Sequence, residues 1–182
     1  MKKYLVIGNP IEHSLSPKLH NYWIKKNNLD AAYDKKRLNE SDIKGIIDEV
    51  KNGKIDGINV TVPFKKSVIP FLDKLTPLAN ETRSVNTIYK EKENGIDTVV
   101  GDNTDVGGFK QSLEYINYNV KNKKVFILGA GGVVPSILKA LEKLKVAKVY
   151  ISNRTKEKAK DLESHYKISL GLETLDWGQS PD

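Results

Sequence analysis

Lys124–Ser136 reads KVFILGAGGVVPS, and this stretch decides the fold. Lys124–Leu128 reads as a strand, Gly129-Ala130-Gly131-Gly132 as a tight turn, and the residues from Val133 as a helix running to Leu144. A strand, a glycine turn and a helix in direct succession are the context in which such glycines bind a dinucleotide. Gly129 permits the turn, and Gly131 lets the backbone approach a pyrophosphate resting on the helix N-terminus. Val134 stands at the third glycine position of that pattern and Pro135 follows it, two departures. The first helical turn tolerates a proline because that N–H has no intrahelical partner. Glycines alone would also suit a strand-to-helix turn with no ligand, so the neighbouring strand matters.

That strand is Lys148–Ser152, followed by a helix from Thr155, which completes a βαβ unit. An NAD site wants a carboxylate at the end of this second strand for the ribose hydroxyls. Here the residues are Ser152-Asn153-Arg154-Thr155, and Lys158 lies one helical turn on. A carboxylate would repel a 2′-phosphate, whereas an arginine grips one through paired charge-assisted hydrogen bonds. The cofactor expected is NADP, held by Gly129, Ala130, Gly131, Gly132, Val133, Asn153, Arg154, Thr155 and Lys158. The plainer reading of Arg154 is a solvated cation near a helix start.

Upstream, strands and helices alternate, which argues for a mainly parallel α/β sheet. Lys3–Ile7 is a strand closed by Gly8-Asn9-Pro10. Ser16-Pro17 opens a helix, with serine as its cap and Leu19, Trp23 and Ile24 at helical spacing. Ala32–Lys36 is a second strand. Ser41 caps a helix bearing the stripe Ile43, Ile46, Ile47 and Val50. Gly57–Val62 is a third strand. Asn86–Tyr89 and Thr98–Val100 form antiparallel edge strands around Glu93-Asn94-Gly95. Residues 1–104 are read as a substrate-binding catalytic domain, 105–122 as a connecting helix and polar linker, and 123–182 as a partial Rossmann-type domain.

Polar residues gather at the C-terminal ends of these strands, where ligands bind in open α/β sheets. They are Ser14 and Ser16 after the first strand, Asn59, Thr61 and Lys65 in NVTVPFK, and Asn86 with Asp102. Val60 and Val62 are expected to bury one face of the third strand while Asn59 and Thr61 turn the other toward the ligand. Hydroxyls, amides, a lysine and a carboxylate suit a small polyhydroxylated substrate. Each residue also has a local role open to it, such as capping a helix or satisfying nearby backbone.

Composition narrows the class. The 182 residues are 38% hydrophobic and 29% charged, which is globular rather than disordered. No run of 18 apolar residues suggests a membrane span. MKKYLVIGNP is too short in apolar residues for a signal peptide. Cysteine is absent, which removes disulfides and thiolate metal sites, and His13 and His20 lack the partners of a metal site. The net charge is +7, but the lysines are scattered and the arginines are Arg37, Arg83 and Arg154 only. Nucleic-acid readout leans on clustered arginines and stacked aromatics, so a small anion is the better partner. A cytoplasmic chain without membrane or nucleic-acid partners is expected.

Taken together, GNPIEHSLSP (Gly8–Pro17), NVTVPFK (Asn59–Lys65), VNT (Val85–Thr87), GDNTD (Gly101–Asp105), GAGG (Gly129–Gly132) and NRT (Asn153–Thr155) resemble the shikimate dehydrogenase family in order and spacing. The resemblance implies reversible NADPH-dependent reduction of 3-dehydroshikimate to shikimate, on the route to chorismate and the aromatic amino acids. It implies Ser14, Ser16, Asn59, Thr61, Lys65, Asn86 and Asp102 as substrate contacts, with Lys65 and Asp102 as the catalytic pair and no metal. Ser84 departs from the alanine or glycine usual before VNT. The family also continues into further strands and a C-terminal helix that returns to the substrate domain. Leu170–Asp182 carries a pattern for neither, so the chain reads as C-terminally truncated, with an exposed edge and half a core in its second domain. The alternatives are a quinate/shikimate dehydrogenase and a non-catalytic ligand-binding fragment.

Overall fold

The computed structural model describes residues 1–181, which form two compact units, the first Met1–Asn103 and the second beginning at Thr104. In the first, β1 (Lys2–Gly8), α1 (Ser16–Lys26) and β2 (Ala31–Arg37) make a parallel pair with a helical crossover. After α2 (Ile43–Lys51), β3 (Gly57–Val60) joins the other side of β1, also parallel. The two-residue β4 (Lys74–Leu75), α3 (Pro77–Thr82) and the hairpin of β5 (Thr87–Glu93) with β6 (Ile96–Asp102) complete a sheet ordered β2-β1-β3-β5-β6-β4. Asn94 and Gly95 take positive φ, 52° and 84°, as a tight hairpin turn requires. The hairpin is not at an edge, as the sequence suggests. β4 pairs with the outer side of β6, Lys74 opposite Val100, and a two-residue strand leaves no periodicity to read.

The core of this unit lies on one face of the sheet. Ile43, Ile46, Ile47 and Val50 of α2 pack on Ile7, Ile58, Val60 and Ile88. Burial of each such side chain contributes about 1.5–3 kcal/mol. The other face is thinner: Val6, Ile11 and Tyr33, with Tyr4 and Ile24 against them. α1 covers it without burying a residue of its own, and Leu19 and Trp23 are each 47% exposed. The apolar spacing in α1 therefore marks a largely exposed stripe.

Local competition moved three boundaries. Leu15 holds the N-cap of α1, and Ser16 is already helical; its amide donates to Ser14 Oγ at 3.3 Å. Ahead of α2, a 3₁₀ turn over Glu40–Asp42 is capped by Asn39, whose N–H donates to Asp42 Oδ2 at 2.8 Å. Asparagine caps as well as serine, and an acidic residue three positions on completes the reciprocal box, so Ser41 falls inside the turn. β3 stops at Val60 rather than Val62. Thr61 N–H still reaches Ile7 C=O at 3.0 Å, but Pro63 has no N–H, and Phe64 N–H turns back onto Thr61 C=O at 3.0 Å. Val62 is consequently 57% exposed, and Phe64 takes the core position instead, 3% exposed.

The second unit opens with α4 (Asp105–Tyr115) and continues as β7 (Lys124–Leu128), α5 (Val134–Lys143), β8 (Lys148–Ser152), α6 (Lys156–Leu170) and β9 (Glu173–Leu175). Its sheet, β7-β8-β9, is parallel throughout, the arrangement of one half of a doubly wound nucleotide-binding fold. Val134, Leu138, Leu141, Val149 and Ile151 form its core. β9 corrects the sequence reading, which found no strand after Leu170. Gly171, at φ 57°, ends α6; Leu172 is buried, and Glu173–Leu175 then pairs with Tyr150–Ser152. Three residues with one apolar side chain give too short a pattern to recognise.

Candidate active site

Backbone ladders bring most of the expected substrate residues of the first unit together. Val60 N–H donates to Asn86 C=O (2.8 Å), Asn86 N–H to Asp102 C=O (3.0 Å), and Val85 N–H to Lys65 C=O (2.9 Å). Asn59, Asn86, Asp102 and the lysine loop are thus neighbours through the main chain. Ser14 and Ser16 come from the loop after β1. That loop is pinned: Asn9 N–H donates to Val62 C=O at 3.0 Å, and Asn9 Nδ2 to Leu38 C=O at 3.0 Å. A Cβ on Gly8 would stand 2.7 Å from Thr61 Cγ2, so glycine is what lets the two loops touch. Lys65 is 8% exposed while Lys66 beside it is exposed. A lysine this secluded is uncommon, and its burial sets Lys65 apart from its exposed neighbour.

Asp102 is held at one oxygen. Its Oδ1 accepts the Thr76 hydroxyl at 2.6 Å and the Asn103 N–H at 2.7 Å. Thr76 also caps α3 by accepting Ala79 N–H at 3.4 Å. Asn103 is itself buried and donates through Nδ2 to Ser84 C=O (2.7 Å) and Thr82 Oγ1 (3.0 Å). Ser84, a departure by type, serves this support through its backbone. The carboxylate of Asp102, with burial and Glu91, raises the pKa of the nearby Tyr89 hydroxyl; burial is the largest cause.

A second chain runs through Asn59. The Tyr33 hydroxyl donates to Asn59 Oδ1 at 2.6 Å. Asn59 Nδ2 donates to Thr87 Oγ1 (3.2 Å) and Asn86 C=O (3.3 Å), and the Thr87 hydroxyl donates to Asn86 Oδ1 at 3.1 Å. Burial pushes the Tyr33 hydroxyl up to about 12, so it stays a donor across ordinary pH. His20 stacks on Tyr33 with ring centroids 4.1 Å apart, and burial lowers its pKa. Tyr4, His20, Ile24 and Leu29 wall a cavity of about 690 Å3 that Asn59 and Thr87 also line. Sequence reasoning gives no site role to Tyr33, Thr76, Thr87 or Asn103. Thr87 and Asn103 lie inside the VNT and GDNTD motifs and Thr76 stands before Pro77 at a helix start, whereas Tyr33 leaves no signal.

In the second unit Gly129 has φ 106°, a conformation that favours glycine, and donates its N–H to Ser152 C=O at 2.8 Å. A Cβ on Gly131 or Gly132 would meet no atom within 4 Å. Packing does not demand glycine at either place, and the open space suits a phosphate group approaching the backbone. The N-cap residue of α5 is Val133, which makes no side-chain cap hydrogen bond. Val134 is buried in the core, so the third glycine position is filled by packing. Ala130 N–H donates to Asn153 Oδ1 (3.1 Å) and Asn153 Nδ2 to Thr155 C=O (2.7 Å), which joins the glycine turn to the loop after β8. Arg154 and Lys158 are exposed and carry no ion-pair partner among the described residues, whereas Lys156 is paired with Asp176. No group of three potential metal ligands occurs among the described residues.

An α/β unit with polar residues at its strand ends, followed by a Rossmann-type unit with a glycine turn, defines the class: two-unit α/β proteins of the dehydrogenase type. The profile of the shikimate dehydrogenase substrate binding domain matches residues 6–88, and that of shikimate / quinate 5-dehydrogenase matches residues 111–176. A shikimate dehydrogenase (NADP(+)) of Pelagibacter ubique is 54% identical over 181 residues, covering 100% of this chain and 66% of the relative. The crystal structure of the shikimate dehydrogenase of Aquifex aeolicus superposes with a TM-score of 0.84 at 40% identity, over 96% of this chain and 62% of that one. That of Thermus thermophilus, in complex with NADP(H) and shikimate, gives 0.82 at 29% identity, over 96% and 63%. The chain belongs to the shikimate dehydrogenase family. It spans about two thirds or less of the length of these relatives.

Proposed function

We propose that the chain carries the substrate side and the cofactor-phosphate side of an NADP-dependent shikimate dehydrogenase, which reduces 3-dehydroshikimate reversibly to shikimate in the cytoplasm. Residues 1–104 bind substrate, 105–122 pack with the second unit and lead into it, and 123–182 hold the cofactor. The observation that carries the reading is the buried Lys65, tied through Val85 to Asn86 and through Asn86 to Asp102. The Thermus relative solved with NADP(H) and shikimate supports the same assignment of ligands.

NADPH, when bound, supplies the hydride that reaches the ring carbonyl carbon. The charge that develops on the carbonyl oxygen needs a donor at once. Lys65, as an ammonium, donates that proton and is refilled from solvent, so one NADPH and one proton are consumed per alcohol formed. Asp102 orients the lysine and accepts from the neighbouring hydroxyl of the ring. Ser14, Ser16, Asn59, Thr61 and Asn86 hold the remaining hydroxyls and the carboxylate. Gly129, Ala130, Gly131, Gly132 and Val133 form the turn that leaves room for the pyrophosphate at the start of α5, and Asn153, Arg154, Thr155 and Lys158 meet the 2′-phosphate.

The test is NADPH consumption with 3-dehydroshikimate, with NADH and quinate as comparison partners. Lys65→Ala is expected to lower kcat by at least about a hundredfold with KM nearly unchanged. Near-normal turnover in that variant would remove Lys65 from the mechanism. Preference for quinate would favour the quinate-using branch, and ligand binding without turnover a non-catalytic role.

A further inference from the structure

We infer that Thr76 is the positioning residue of Asp102, fixing which carboxylate oxygen is presented to the ligand; the inference rests on the proposed role of Asp102. A threonine hydroxyl has one proton and accepts at its lone pairs. At Thr76 the accepting side is used by Ala79 N–H at 3.4 Å, at the start of α3. The proton then goes to Asp102 Oδ1, 2.6 Å away. The same oxygen takes the Asn103 N–H at 2.7 Å. Two donors converge on Oδ1, which leaves Oδ2 as the oxygen available to a ligand. Thr76 is itself immobilised, because its N–H donates to Gly101 C=O at 2.9 Å, one residue before the aspartate. A Cβ on Gly101 would come within 2.5 Å of Leu72 and 3.0 Å of Leu75 and Val85, so this part of β6 has no room to shift. Hydroxyl and carboxylate are therefore held in one geometry by the sheet, and rotation of the carboxylate is restrained by a charge-assisted bond from outside its own strand.

Valine keeps the shape of threonine and removes only the proton. In Thr76→Val, Oδ1 keeps a single donor, the carboxylate rotates more freely, and kcat is expected to fall about tenfold or more, the worth of a hydrogen bond to a charged group. KM is expected to stay within about twofold, and Thr76→Ser to restore kcat to within about twofold of the parent. Loss of activity in both variants alike, or in neither, overturns the inference. An activity-independent readout separates it from the proposed function. The Asp102 side-chain carboxyl carbon, followed by NMR in the 182-residue chain, is expected to move in Thr76→Val and to hold in Thr76→Ser. An unmoved signal in the folded valine variant refutes the contact even if the parent shows no turnover. If the valine variant does not fold, the parent decides: the Thr76 hydroxyl proton is expected as an exchange-protected resonance, and a freely exchanging one refutes the inference.

Discussion

At the scale of single residues, the groups proposed to face the ligand are held in place by hydroxyls outside the predicted set. Tyr33 shows how this can be tested away from catalysis. Its hydroxyl is held at about 12 by burial, against an ordinary value near 10 for an exposed tyrosine. The sign follows from linkage. Below pH ~10 the phenol is neutral in both folded and unfolded chains, and its contribution to stability is fully present. Between about 10 and 12 the unfolded chain ionises first, so stability falls as pH rises through that window, by at most about 2–3 kcal/mol. Denaturant unfolding at pH 8 and 11 should show this loss in the parent and a smaller one in Tyr33→Phe. At pH 8 the same variant is expected to be about 1 kcal/mol less stable, because Asn59 Oδ1 loses its 2.6 Å donor. Equal pH slopes in the two proteins would remove Tyr33 as the source. Arg154 poses the matching question in the second unit. Arg154→Ser should weaken NADPH by about tenfold or more and leave NADH nearly unchanged, as measured by titration, because only the former carries a 2′-phosphate.

At the scale of elements, the strands and helices with strong periodicity were legible and their ends were not. The α2 stripe and the β7–turn–α5 succession stand where the sequence puts them. The ends moved because capping is a contest between neighbours: Asn39 with Asp42 outcompetes Ser41, and Ser14 satisfies the amide of Ser16. β4 and β9 were illegible because two or three residues hold no period, and the sheet rather than the segment stabilises them. The glycine turn divides along the same line, between what the chain needs and what a ligand needs. Gly129→Ala places a side chain at φ 106° and should lower stability by about 1 kcal/mol or more. Gly131→Ala meets open space, so stability should stay within about 0.5 kcal/mol. A methyl there would nevertheless stand in the path of the pyrophosphate, and NADPH affinity should fall. Thermal unfolding and a NADPH titration on both variants distinguish these outcomes. A Gly131→Ala protein that binds NADPH normally would argue that the turn is only a turn.

At the scale of the whole molecule, the order of an α/β unit and then a Rossmann-type unit was legible because six motifs fall along one chain in a fixed sequence. The supports of the site were not, because Tyr33 and Asn59, or Thr76 and Asp102, are 26 residues apart and meet only through the sheet. Charge is a property that belongs to the chain as a whole. The net charge is +7, and no helix among the described residues is long and apolar enough to cross a membrane. Many lysines sit in exposed pairs, such as Lys44 with Asp48 and Lys51 with Asp73, which contribute little to stability. Their summed field acts instead on approaching anions, and both proposed ligands, a carboxylate substrate and a phosphorylated cofactor, are anionic. Such steering is screened over about 10 Å at 0.1 M salt. Raising potassium chloride from 0.02 to about 0.3 M is therefore expected to lower kcat/KM for both ligands severalfold while kcat changes little. Thr76→Val, which leaves the field intact, should show the same salt slope from a lower starting value. A kcat/KM that is flat in salt would mean that the positive charge serves something other than ligand capture, since a field of this size cannot steer anions without being screened.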